Sequence, residues 1–373
     1  MQRLFRRARA AACVVAVAVA WMLSPARAAE PGADARLPVL RSTVLATAGP
    51  LVRSAPAEPA QLGSSFELTF GSGLSGQPLA QAAFARAAAR WGALLGDGVT
   101  VRLSVDYQPL ATNVLGQSTS YIAYGGYAEV RDLVAAGGEP GDAAEVALLA
   151  ALPSTAQFSA WLPTGFSMDG NAYITTANWK ALGGEYADSD GSITFSSSVG
   201  WDFDPSDGIA PGLFDFEGAA MHEMGHNLGF ISEIDYVDSV LGEGETASDV
   251  WPAGLDLFRF RAADVTGPGF NFTTSPRDLV PGGSQVFYYG DGYVAMSTGV
   301  ERGDGRQGSH WKDGLGLGIL DPTAAPGELL AISQNDLRAL DLIGWDVAPE
   351  PTTLALLAAA ILTLRRRARR AHK

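Results

Sequence analysis

Asp215-Phe216-Glu217-Gly218-Ala219-Ala220-Met221-His222-Glu223-Met224-Gly225-His226-Asn227-Leu228-Gly229-Phe230 is the stretch on which the reading of this chain turns. Two histidines four apart on a helix lie on one face, one turn apart, at the spacing a single zinc ion requires of two imidazoles. Glu223 sits beside that face, where its carboxylate can take a proton from a water that the metal activates. The helix ends are legible too. Asp215 follows Pro211-Gly212-Leu213-Phe214 and is placed to cap the free N–H groups of the first turn. Gly229 stands where a left-handed residue would stop the helix. A helix of about four turns is expected, ending at that glycine, with Phe216, Ala219, Ala220, Met221, Met224 and Leu228 as its apolar residues.

Two imidazoles leave such a site incomplete. The chain has 4 histidines, and beyond this pair only His310 and His372 remain. His372 lies in a basic tail. His310 lies in Gln307-Gly308-Ser309-His310-Trp311-Lys312-Asp313, among glycines and beside a tryptophan able to order a loop, and is the first choice as third ligand. Carboxylates compete with it. Glu233, Asp235 and Asp238 follow the helix closely, and Glu243 and Glu245 stand farther on. Asp235 and Asp238 have a further reading, as turn caps or ligands of a structural cation.

His222 to Gly229, as HExxHxxG, resembles the opening of the metzincin signature, whose last place is Ser232 here. Gly318-Ile319-Leu320-Asp321-Pro322 resembles the Met-turn of that clan, with Leu320, apolar and of similar volume, in the methionine's place. Helix, long insertion, distant histidine and turn together resemble the leishmanolysin-like branch. More closely, Phe66 to Trp345 is similar to a family of exported bacterial zinc-metalloprotease-like proteins, through "DFEGAAMHEMGHNLGF", "LDLFRF", "GSHWKDG" and "GILDP". The resemblance implies an α+β, two-lobed zincin. Its upper lobe would be a twisted mixed sheet with the active-site helix, and its lower lobe largely irregular. It also implies a zinc endopeptidase acting on protein or peptide, with one catalytic Zn2+ on His222, His226 and His310 and Glu223 as general base. A cell-surface or biofilm-matrix protein using the fold as a non-catalytic scaffold is the competing reading. A zinc hydrolase for a non-peptide substrate is a third.

The ends read as export signals. Residues 1–28 combine four early arginines, an apolar run from Ala10 to Leu23 and Ala26-x-Ala28, the pattern of a signal peptide cut by signal peptidase. Residues 349–373 combine Pro349-Glu350-Pro351, a short apolar run and an arginine-rich end. They resemble the PEP-CTERM sorting tail, which implies an exosortase-type enzyme, transient anchoring in the inner membrane and a Gram-negative envelope, cell surface or exterior. Residues 29–62, rich in Ala and Pro, read as a linker or short pro-segment, and 63–348 as the catalytic domain.

Eleven of the 26 Lys and Arg lie outside residues 30–351, whereas all 40 Asp and Glu lie inside, so that segment carries a net charge of −25. Such a charge opposes binding to nucleic acid. Asp188-Ser189-Asp190-Gly191 and Asp202, Asp204 and Asp207 are candidate Ca2+ loops, with solvated acidic turns the preferred reading. Cys13, the sole cysteine, lies in the signal, so the mature protein has neither a disulfide nor a cysteine-to-zinc latch. A monomer is expected.

Periodicity predicts strands over 65–70 and 99–107, helices over 78–95, 127–136 and 143–152, and further strands over 172–178 and 192–198. Ser192 to Ser198, the last strand before the histidine helix, is the candidate edge that receives an extended substrate by backbone pairing. Past Gly229 the chain turns glycine-rich, with a strand near Val286–Tyr289 and a helix over 333–343 that opens on Ser333-x-x-Asp336 and stops at Gly344.

Overall fold

The computed structural model describes residues 39–45, 63–139 and 142–348, with backbone alone for 39–45 apart from Thr43. Residues 1–28, read as a signal peptide, and residues 349–373, read as a sorting tail that includes His372, lie outside the described residues. The elements that matter follow in chain order. They are β1 (Val39–Leu45), β2 (Ser65–Phe70), α1 (Pro78–Leu94), β3 (Thr100–Gln108), β4 (Val114–Gly126), α2 (Tyr127–Ala136), α3 (Ala143–Ala150), β5 (Asn171–Thr175), α4 (Thr176–Ala181), β6 (Gly191–Ser196), α5 (Phe216–Asn227), α6 (Ile234–Gly242), β7 (Arg259–Arg261), β8 (Gln285–Tyr288), β9 (Tyr293–Met296) and α7 (Gln334–Leu342). The architecture is α+β, as expected, with a mixed main sheet. No helix among the described residues is long and apolar enough to cross a membrane.

The main sheet runs β1-β4-β6-β3-β2, and β5 pairs with β4 beyond that path. β2, β3 and β6 are parallel, while β4 runs against β6 and takes β1 alongside it in parallel. On β3 the buried residues are Val101, Leu103 and Val105, the two-residue alternation read from the sequence. α1 turns Ala80, Ala83, Phe84, Ala87, Ala88 and Trp91 inward, and Trp91 Nε1 donates to Met221 O at 2.9 Å. Small alanines let α1 and α5 approach closely. Arg86 and Arg90 then close over them, their Nε atoms 2.6 and 2.5 Å from the two oxygens of Glu217. Phe216 of α5 sits among Phe84, Phe195, Trp201 and Phe203, with ring centroids 4.9–5.2 Å away.

Two expectations change. Ser192–Ser198 is not an edge. The strand there, β6, pairs with β3 on one side and β4 on the other, from Ser104↔Ser192 to Gly116↔Phe195. Its order in the chain says nothing of its place in the sheet, and Phe195, wholly buried, holds it in the interior. The strand expected to run to Asn178 stops at Thr175, whose side chain accepts from Asn178 N and starts α4. Within residues 29–62, read as linker or pro-segment, seven form the strand β1.

Candidate metal centre

The helix α5 is buried at every residue, as a helix is when packed on all sides. Asp215 caps it, accepting from Gly218 N at 2.8 Å and, with its other oxygen, from Leu330 N at 3.1 Å. It ends somewhat sooner than expected, at Asn227, and in a specific way. Gly229 N donates to His226 O and Phe230 N to Gly225 O, both at 3.1 Å, with Gly229 at φ +125°. This paired closure needs a left-handed residue, and a side chain at 229 would also strike Ile343. Gly225, between the histidines, is small for another reason. A Cβ there would lie 3.1–3.2 Å from the two methyl carbons of Leu320, the buried turn residue that packs beneath the helix.

His222, His226 and His310 meet although 84 residues separate the last two. Their Nε2 atoms lie 3.0 Å (His222 to His226), 3.2 Å (His222 to His310) and 3.2 Å (His226 to His310) apart. All three rings are fully buried. Each Nδ1 faces a backbone carbonyl, which can only accept: Ile319 O at 2.6 Å from His222, Phe230 O at 2.8 Å from His226 and Gln307 O at 3.3 Å from His310. A neutral imidazole has one N–H, so these carbonyls hold the proton on Nδ1 and leave each Nε2 a bare lone pair. Three lone pairs aimed at one point repel unless a cation lies between them. Ligands of one tetrahedral zinc, with bonds of about 2.0–2.1 Å, stand about 3.3–3.4 Å apart, close to what is seen.

Electrostatics keep the rings in the ligating form. Burial, then the neighbouring His226, pushes His222 well below the usual imidazole range. Burial brings His226 down to about 4, and burial with both partners lowers His310. Among the described residues, no other group of three or more His, Cys, Asp or Glu gathers in this manner.

Glu223 is fully buried on α5 under β4. A Cβ on Gly116 of β4 would strike the Phe195 ring at 2.5 Å and stand 3.0 Å from Glu223 Oε1, so that glycine makes room for both. Asn227, one turn on, donates from Nδ2 to Glu223 O at 2.9 Å.

The carboxylates that competed as third ligand hold the His310 loop or its surroundings instead. Asp235 accepts from Gly308 N at 2.6 Å and from both the amide and the hydroxyl of Ser309. Asp238 accepts from Glu301 N and Arg302 N at 2.7 and 2.8 Å, and Glu233 from Trp251 N at 2.7 Å. Ser232, in the signature's last place, donates to Asp256 Oδ1 at 2.6 Å. Glu243 and Glu245 stand exposed at and beyond the end of α6.

Three supports of the site went unread in the sequence. Asp256 gathers Ser232, Glu233 N and Ala253 N, and pairs with Arg259, whose guanidinium donates to Ser297 O and Gly308 O. Asp336 accepts from Ile319 N at 2.8 Å, Leu320 N at 3.3 Å and Trp311 Nε1 at 2.8 Å. It thereby fixes the peptide whose carbonyl orients His222 and anchors the neighbour of His310. An acid and a base inside apolar "LDLFRF", and an aspartate doubling as cap of α7, were the available signals.

Of the candidate Ca2+ loops, Asp190 is buried against Lys180 Nζ at 2.5 Å and Thr176 Oγ1 at 2.9 Å. Asp202 and Asp204 accept from backbone N–H groups of their own turn. Compared with known proteins, the chain matches no family model, no curated protein and no solved structure.

Proposed function

We propose that this protein is an exported zinc-dependent endopeptidase of metzincin type, with His222, His226 and His310 as ligands and Glu223 as general base. One observation carries the reading: three imidazole Nε2 atoms converge within 3.2 Å, each ring oriented by a carbonyl facing its Nδ1. Neutral imidazoles without thiolates suit zinc, and a cation on three of them would supply a Lewis acid with a position left open. Leu320 beneath Gly225 supports the likeness to the Met-turn, since packing there needs apolar volume rather than sulfur.

The chain's own part is proton handling and water exclusion. Glu223 takes the proton of the water that attacks the scissile carbonyl and returns it to the leaving nitrogen. A metal scaffold has no use for a buried carboxylate beside its ligands, so Glu223 favours chemistry over the scaffold reading. Export, by the leader at 1–28 and the tail at 349–373, belongs to the same proposal.

Hydrolysis of an unfolded protein by the zinc-loaded chain tests it, beside Glu223→Ala and His310→Ala. Glu223→Ala is expected to keep the metal and lose about 10²–10⁴-fold in rate. His310→Ala is expected to lose both, and full zinc occupancy in that variant would overturn the ligand set. A folded, zinc-bound wild type that cleaves nothing, even once relieved of the block described below, would leave the scaffold reading standing.

A further inference from the structure

We infer that residues 39–45 are an internal block. As β1, they occupy the edge of β4 on which an extended peptide would have to pair to reach Glu223. The inference rests on the peptidase reading and adds how the site is closed.

β4 pairs with β6 over Gly116–Ser120 on one side and with β1 over Val114–Tyr121 on the other, so without β1 a row of backbone N–H and C=O groups stands open. β1 follows that row residue for residue from Leu40↔Gly116 to Leu45↔Tyr121. Thr43 Oγ1 adds a bond to Ser118 O at 3.0 Å and another to Thr119 Oγ1 at 2.9 Å.

The level of the crossing matters most. A Cβ on Gly116 of β4 would stand 3.0 Å from Glu223 Oε1, and Leu40 is the register partner of Gly116. β1 therefore passes the candidate base and lies along α5 as well. The sheet's other end, β2, stands beyond β6 and β3, about 14 Å from β4 at the usual strand spacing. A peptide that pairs with the sheet and reaches Glu223 must use the β4 edge.

An extended peptide recognised by strand addition needs the same N–H and C=O groups that β1 holds, so the two exclude one another. The block works through backbone, as it must where the mature chain has no cysteine to place on a metal. β1 precedes the rest of the domain in the chain and ends the sheet path, so it can leave without unthreading any other strand.

Two versions of the full chain test this, so that misfolding of one leaves the other to decide. One carries Ser42→Pro with Thr43→Pro. Neighbouring residues alternate in which N–H faces β4, so this pair removes a ladder bond whichever faces it. The other carries a site for a specific protease inserted between residues 50 and 58 and is cut after folding. Amide hydrogen exchange at residues 114–121 and binding of a labelled peptide of residues 36–47 are read in each, beside protein hydrolysis with zinc. Opening is expected to speed exchange at 114–121 by 10-fold or more, to create binding of the peptide that the intact chain lacks, and to raise hydrolysis at least 10-fold. Unchanged exchange in both versions, or equal peptide binding by the intact chain, would overturn the block. Faster exchange and new peptide binding without hydrolysis would uphold the block and overturn the peptidase reading.

Discussion

The two halves of this molecule satisfy their backbones differently. Residues 65–228 build sheet and helices whose N–H and C=O groups pair with one another, leaving rings such as Phe84, Phe195 and Phe216 to fill the core. Residues 229–345 hold few regular elements, and there buried acidic and basic side chains do the pairing. Arg277, fully buried, donates to Leu257 O, Phe272 O and Ser275 O; Asp336 and Asp256 each accept from at least two backbone amides. Irregular backbone taken out of water needs partners, and charged side chains are the strongest available. The irregular half is thus over-determined rather than loose. That is why it can present His310 to two histidines on a rigid helix.

The comparison predicts a matched pair of large losses with different causes. Phe216→Ala leaves a cavity among four aromatic rings and should cost about 3–5 kcal/mol in urea unfolding. Arg259→Met keeps volume but strips Gly308 O and Ser297 O of their donor and leaves Asp256 unpaired; it should cost about 3–5 kcal/mol as well. The second should also lower zinc retention, because Gly308 belongs to the His310 loop. Equal zinc retention in the two variants would break the distinction.

Asp336→Asn is the next step down. The amide keeps one acceptor but turns the other oxygen into a donor, which then faces either Ile319 N and Ser333 N or Leu320 N and Trp311 Nε1, for about 1–3 kcal/mol. Zinc affinity measured by competition with a chelator should fall about 10–100-fold, since the Ile319 carbonyl loses its anchor.

The smallest effect lies at the seam between the halves. Asp97 accepts from Asp346 N at 3.1 Å, and burial, with the Asp346 carboxylate adding to it, pushes it up to about 7. The folded state then holds a proton that the unfolded chain releases near pH 4, so stability falls as pH rises from about 4 to about 7. Asp97→Asn should melt about 2–4 °C higher at pH 8, with the gap narrowing as pH falls and closing at about pH 4. A gap independent of pH would assign it to something other than the buried charge.

What was legible follows the same division. α1, α2, β2 and β3 were read almost to the residue, because periodic burial and end caps are written in neighbouring residues. α5 was read with both its cap and its stop. The place of β6 was not, since period two tells which face of a strand is buried and not which strands flank it. Nor was the meaning of "LDLFRF", where Asp256 and Arg259 answer to backbone groups far along the chain.

By itself, the sequence determined the helix that follows the Asp215 cap, the shared face of His222 and His226, and the glycine stop after which Phe230 O meets His226. All of these depend on contacts within a few residues, where spacing is geometry. Tertiary structure alone decided how the His310 loop reaches them, that Ser192–Ser198 lies inside the sheet, and that β1 pairs with β4. These are pairings across long loops. They are selected by which arrangement buries the apolar residues while leaving every buried polar group a partner, and no local pattern records that choice.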